Sequence, residues 1–186
     1  MSNTSHKRKI FTLPNIISFF RILLVPVFLY VYHMDIQSKS LYLGAILIVS
    51  GISDMADGRI ARKFDMVSEL GKVLDPIADK LTQLSLLLCL LTKYAVARIV
   101  FGIFLTKEIL VAAVGYKVIR MQGKNEGAKW YGKVSTVIFY VVTIVLVIFD
   151  GISEVCANAL LMTSGAAIIA AFCGYMLLFR KILSGK

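Results

Sequence analysis

Four aspartates, Asp54, Asp57, Asp75 and Asp79, lie in the stretch SDMADGRIARKFDMVSELGKVLDPIADKL, residues 53–81, with strongly apolar sequence on both sides. On a helix at 100° per residue, Asp54, Asp57, Gly58 and Ala61 share a face about 100° wide, and the two carboxylates stand about 5–6 Å apart at Cβ. Asp75 and Asp79 lie one turn apart on the next helix. A charge in hydrocarbon costs at least about 3 kcal/mol, less near an interface, and neighbouring carboxylates repel one another besides, so something positive must offset them. Oxygen-only ligands from two helices, with positions left for water or phosphate, describe a site for Mg²⁺ or Mn²⁺. The alternative is structural. Asp75-Pro76 suits an N-cap carboxylate followed by proline in the first turn, and Asp79 can pair with Lys80 or a loop lysine. Capping does not account for Asp54 and Asp57, which fall near a helix C-terminus, where acidic groups are unfavourable. Asp65 and Glu69, in the connection, are simple solvated charges.

The elements that carry these carboxylates are membrane helices. Of 186 residues 58% are hydrophobic, and the formal net charge is +10, a combination that a soluble domain of this size rarely shows. Six apolar runs, approximately 14–33, 41–58, 75–92, 99–116, 134–149 and 158–179, approach the roughly 20 residues that cross about 30 Å of hydrocarbon. The expected fold is an all-α integral membrane protein, six transmembrane helices in one bundle. It forms a single domain over residues 1–186 with a short basic N-terminal segment, 1–12, and no nucleic-acid partner. Fifteen lysines and arginines fall before the first span, between spans two and three, between four and five, and after six, against Lys39, Lys93 and Arg98 on the other side. That asymmetry places both termini and the aspartate segment in the cytoplasm of a multi-pass cell-membrane protein. A basic start before an apolar run also fits a signal peptide, but no small-residue cleavage pattern follows Val31-Tyr32-His33-Met34.

Other polar residues fall inside the spans. Arg21 lies about 10 Å into the first, and Asn15, Ser18 and Arg21 share an arc of about 120°. Arg21 either snorkels to the interface or faces the aspartates or a phosphate, the latter being the expectation. Thr106-Lys107-Glu108 falls near the middle of the fourth span, a costly placement unless it faces a wet cavity. Cys89, Cys156 and Cys173 stand singly, without metal-like spacing, as packing residues. Tyr30, Tyr32, Trp130 and Tyr131 fit an aromatic belt at the membrane boundaries.

The pattern Asp54-x₂-Asp57-Gly58-x₂-Ala61-Arg62-x₈-Gly71-x₃-Asp75-x₃-Asp79 resembles, at every fixed position, the signature of the CDP-alcohol phosphatidyltransferases. The opening Leu13-Pro14-Asn15-Ile16-Ile17-Ser18-x₂-Arg21-x₄-Pro26 looks like that family's first helix. The resemblance implies a CDP-diacylglycerol site in a polar cavity open to the cytoplasm, with two divalent ions, Mg²⁺ or Mn²⁺. It implies Asp54, Asp57, Asp75 and Asp79 as metal ligands, with Asp79 also the base for the acceptor hydroxyl. Gly58, Ala61, Arg62 and Gly71 are implied at the CDP-diacylglycerol; helix packing, a turn and a solvated arginine are their structural alternatives. Lys107-Glu108 and the stretch Gly132-Lys133-Val134-Ser135-Thr136 are similar to positions in members whose acceptor is glycerol phosphate, although Ser135 stands where a second basic residue often precedes the Thr. Arg21, Lys107 and Lys133 are then candidate contacts of the acceptor phosphate. A homodimer embedded among membrane lipids is also implied.

The implied reaction transfers a phosphatidyl group from CDP-diacylglycerol to a hydroxyl of sn-glycerol 3-phosphate and releases CMP. The alternative within the class is a CDP-alcohol-type cardiolipin synthase with phosphatidylglycerol as acceptor. A divalent-cation transporter and a non-catalytic scaffold are the alternatives outside it. Transport predicts ion ligands near the midplane, often on broken helices, whereas these aspartates gather at one membrane face.

Overall fold

The computed structural model describes residues 12–63, 70–122 and 129–183. These form six helices: α1 Leu13–His33, α2 Lys39–Lys63, α3 Gly71–Leu91, α4 Ala95–Gln122, α5 Trp130–Ile148 and α6 Glu154–Leu183. Among the described residues there is no strand. Helices are what apolar sequence must form where water cannot satisfy the backbone. Four of them, over Asn15–His33, Ala95–Val118, Trp130–Ile148 and Glu154–Ile182, are long and apolar enough to cross a membrane. Their apolar side chains are widely exposed, as in Leu23, Ile99, Val137 and Leu177, which suits contact with lipid and marks a membrane protein.

The helices extend past the apolar runs. α2 continues through the aspartate segment to Lys63, and α3 starts at Gly71, one turn before Asp75. Asp75 is therefore inside α3 and does not cap it, and Pro76 is an interior proline. The first turn of α3 is closed from Leu70, whose carbonyl accepts the N–H groups of Val73 and Leu74 at 3.1 and 2.9 Å.

The chain divides into two compact units, residues 1–89 and 90–186. In the first, α1 packs along α2. α1 is turned inside out: Asn15, Ser18 and Arg21 are 4%, 0% and 3% exposed, whereas Ile16, Phe19 and Leu23 are 53%, 54% and 51% exposed. The polar arc expected of this helix is thus its buried face. Tyr32, expected in an aromatic belt, donates its hydroxyl to the Cys89 carbonyl at 2.7 Å and ties α1 to α3.

In the second unit α6 packs against both α4 and α5. Phe104 and Phe139 stack with ring centroids 5.3 Å apart. Lys93, after α3, and Asp150, after α5, meet at 2.9 Å. Cys89 is buried as a packing residue, whereas Cys156 and Cys173 are exposed.

Candidate functional site

In the first unit α1 reaches both acidic helices from one face. Ser18 and Arg21, three residues apart, point the same way. The Ser18 hydroxyl donates to Asp75 Oδ1 on α3, and the Arg21 guanidinium donates to Asp54 Oδ1 on α2. Of the two destinations expected for Arg21, the aspartates are the one observed. The ion pair is asymmetric, with the Arg21 side chain 4% exposed and that of Asp54 53%. A buried guanidinium is costly unless it is paired, so Asp54 offsets the charge on the inner face of α1 while keeping an open side. Nε of Arg21 is buried without a hydrogen-bond partner.

Asp79 follows Asp75 by one turn. Gln83 Nε2 donates to Asp79 Oδ2 at 3.4 Å, and Lys80 Nζ donates to Gln83 Oε1 at 3.2 Å. Gln83 is 1% exposed. Gln83 lies outside the residues that the aspartate pattern points to, although a glutamine one turn after an aspartate in an apolar span is a usable signal. Helical spacing puts Ser18 on a polar face, and the tertiary structure pairs it with Asp75.

Gly71 is buried as the first residue of α3. The backbone of Asp57, Gly58, Ala61 and Arg62 continues α2, and the side chains at these four positions lie outside the described residues. Among the described residues no three His, Cys, Asp or Glu side chains come together as a metal site. The chemistry of the acidic set nevertheless fits a hard divalent cation: Asp54, Asp75 and Asp79 offer carboxylate oxygens from two helices, and one oxygen each of Asp54 and Asp75 is oriented by α1.

The second unit holds the other two predicted cations. Lys107 Nζ and Glu108 Oε1 are 2.6 Å apart, with side chains 12% and 24% exposed. Lys107 also lines an open cleft of about 450 Å³ with Arg98, Gly102, Thr106, Ile169 and Phe172. Lys133 is exposed in the first turn of α5. There the Gly132 carbonyl accepts the hydroxyls of Ser135 and Thr136 at 2.9 and 3.0 Å. Tyr131, expected in the aromatic belt, packs on Tyr175 of α6, with centroids 5.0 Å apart.

Known proteins are similar in sequence to part of this chain. A CDP-diacylglycerol–glycerol-3-phosphate 3-phosphatidyltransferase of Blochmanniella floridana is 30% identical over 130 residues, 68% of this chain and 68% of the relative. One from Rickettsia felis is 39% identical over 103 residues, 55% of this chain and 56% of the relative. A cardiolipin synthase (CMP-forming) / mitochondrial hydrolase fusion protein of Schizosaccharomyces pombe is 36% identical over 111 residues, 59% of this chain and 18% of the relative. The chain thus spans between about a fifth and two thirds of the length of these relatives. The family model described as CDP-alcohol phosphatidyltransferase matches residues 11–177, across both compact units and all four aspartates. The chain belongs to the CDP-alcohol phosphatidyltransferase family.

Proposed function

We propose that this chain transfers the phosphatidyl group of CDP-diacylglycerol to a hydroxyl of sn-glycerol 3-phosphate and releases CMP. The observation that carries the reading is the buried polar face of α1, whose Ser18 and Arg21 orient Asp75 and Asp54. Such orientation has a purpose in phosphoryl transfer, where positioning and charge stabilisation supply most of the acceleration. Relatives named for this reaction, in Blochmanniella and Rickettsia, support the acceptor.

In this mechanism the acceptor hydroxyl oxygen attacks the phosphatidyl phosphorus and gives up its proton to Asp79. The bond from that phosphorus to the bridging oxygen breaks, and CMP departs with the oxygen. Asp54, Asp57, Asp75 and Asp79 would hold Mg²⁺ or Mn²⁺, in our reading two ions. When bound, such ions offset the charge of the diphosphate and of the leaving CMP. Gly58, Ala61, Arg62 and Gly71 would lie along the nucleotide. Lys107, Lys133 and, from within its ion pair, Arg21 are the cations offered to the acceptor phosphate.

We further read the protein as a single six-span domain and a homodimer in the cell membrane, with both termini and a polar cavity on the cytoplasmic side. The lysine and arginine distribution supports the orientation. A lipid donor that arrives sideways and an acceptor that arrives from the cytosol both require such a cavity.

Labelled CDP-diacylglycerol, Mg²⁺ and a panel of acceptors test the reading in the purified protein. Glycerol 3-phosphate is expected to give the fastest product, and Asp79→Asn to abolish it. Unchanged turnover in Asp79→Asn would exclude the mechanism. Phosphatidylglycerol is the second acceptor to try, because the yeast relative is named a cardiolipin synthase; a preference for it would change the acceptor and leave the reaction class. No CMP release with any acceptor would favour the transporter or scaffold.

A further inference from the structure

The first turn of α5 is held by a side chain from α6. Lys129, the N-cap of α5, makes no side-chain cap, and its backbone N–H donates instead to the Tyr175 hydroxyl at 3.2 Å. The Lys129 carbonyl in turn accepts the N–H of Lys133, also at 3.2 Å. One turn of backbone therefore links the Tyr175 hydroxyl to the lysine offered to the acceptor phosphate.

The same tyrosine lies against Gly132. A Cβ at that position would collide with the Tyr175 hydroxyl and would stand 3.0 Å from two ring carbons. The arrangement is reciprocal: a Cβ on Gly174 would stand 2.9 Å from the Tyr131 ring. Each helix thus gives up a side chain where the other presents an aromatic ring, and the two rings meet edge to face at 72°. Close small-against-large packing of this kind sets both the rotation and the axial position of α5 relative to α6. General cohesion of the two helices would need only the rings. The hydroxyl bonded to the α5 entry is the added feature.

We propose that Tyr175 is a positioning residue: through Lys129 and Gly132 it holds the first turn of α5 so that Lys133 meets the acceptor phosphate. The proposal rests on the reading of Lys133 as a contact of that phosphate. It assigns to α6 a part in acceptor recognition that neither the aspartate signature nor the glycine-lysine stretch contains. A lysine reaching a phosphate from a displaced turn binds more weakly, and an error of about 1 Å in such a group can cost up to about a hundredfold. The loss falls on the acceptor, because Lys133 has no assigned contact with CDP-diacylglycerol.

The test uses the full chain in lipid nanodiscs. Initial rates are measured against glycerol 3-phosphate at saturating CDP-diacylglycerol, and the reverse, together with Tm. The variants are Lys133→Gln, Tyr175→Phe, Gly132→Ala and the double variant Gly132→Ala/Tyr175→Phe. Lys133→Gln and Gly132→Ala are each expected to raise KM for glycerol 3-phosphate about tenfold, with KM for CDP-diacylglycerol within about twofold of wild type. Tyr175→Phe, which loses one hydrogen bond, is expected to raise it about threefold. In the double variant the hydroxyl is gone while the two ring carbons at 3.0 Å remain, so KM for the acceptor should fall part of the way back towards that of Tyr175→Phe alone.

If Gly132→Ala and Tyr175→Phe leave acceptor KM unchanged while Lys133→Gln raises it, Lys133 keeps its role and the positioning role of Tyr175 is overturned. A fall in Tm and kcat with both KM values unchanged would mean mere helix packing and would overturn it as well. No product from wild type with glycerol 3-phosphate, or an unchanged acceptor KM in Lys133→Gln, would remove the underlying reading and the proposal with it. Should Gly132→Ala fail to fold, Tyr175→Phe decides alone.

Discussion

Arg21 and Asp54 form an ion pair whose ends lie in different surroundings, the guanidinium sealed at 4% exposure and the carboxylate open at 53%. Enclosing the carboxylate as well would add a second desolvation cost. This pair leaves an oriented carboxylate available on the outer side of a buried cation.

Replacing Arg21 should therefore separate stability from activity. Exchanging a buried charge for a well-packed apolar residue is often neutral or stabilising, and Asp54, already half open, is not stranded by the change. Arg21→Met is expected to leave Tm within a few degrees of wild type or raise it, while turnover falls by about tenfold or more. Thermal unfolding in detergent and CMP release from the same preparation check this. A fall in Tm with normal turnover would make the pair structural.

Ser18→Ala removes the hydroxyl that donates to Asp75 in a position with no exposure. Hydrogen bonds to charged groups are worth about 1.5–3 kcal/mol, so turnover should fall by about tenfold or more if Asp75 must keep its orientation in the transition state. Single-turnover rates at saturating substrates distinguish this from weaker binding. An unchanged rate would remove Ser18 from the site.

Chelation should bring turnover to background, and added Mg²⁺ or Mn²⁺ should restore it. The Asp54→Asn variant should need at least about tenfold more Mg²⁺ for half-maximal rate, because one charged oxygen ligand is lost. Full activity in excess chelator would contradict a role for the aspartates as metal ligands.

Lys93 and Asp150 give a pH-dependent contribution of known sign. Burial acts to lower the Lys93 pKa, but the hydrogen bond and charge of Asp150, with Tyr94 beside it, outweigh that and raise it above its ordinary value. The stability from the pair is present below the unfolded lysine value of about 10.4 and is lost as pH rises through the raised folded value. Both groups are substantially exposed, so screening keeps the contribution to no more than about 0.5 kcal/mol. Unfolding of wild type against Lys93→Met should show a small gap at pH 8 that closes above pH 11, with activity equal at pH 8. A gap that widens at high pH would reverse the assignment.

Much of the architecture was legible because one interaction dominates each local choice. A backbone away from water must bond to itself, so apolar runs become helices, and helical periodicity alone gathers Asn15, Ser18 and Arg21 on one face. That face proved to be the buried one, as Arg21 required. The boundaries were less legible. Asp75-Pro76 has the local chemistry of a helix start, yet α3 begins a turn earlier, because Leu70 closes the first turn with its carbonyl. Tyr32 and Tyr131 have the composition of a boundary belt, which does not specify their partners, the Cys89 carbonyl for one and the Tyr175 ring for the other.

The sequence by itself determined which residue types share a helix face and how many charges must find partners, since the period of a helix is set by its own hydrogen bonds. Only the tertiary structure decided which partners they found. That Arg21 takes Asp54, that Ser18 takes Asp75, and that Tyr175 reaches back 43 positions to Gly132 depend on how helices rotate and slide against one another. Rotation and sliding are fixed by the fit of side chains between helices, a property of pairs of surfaces that no single segment contains.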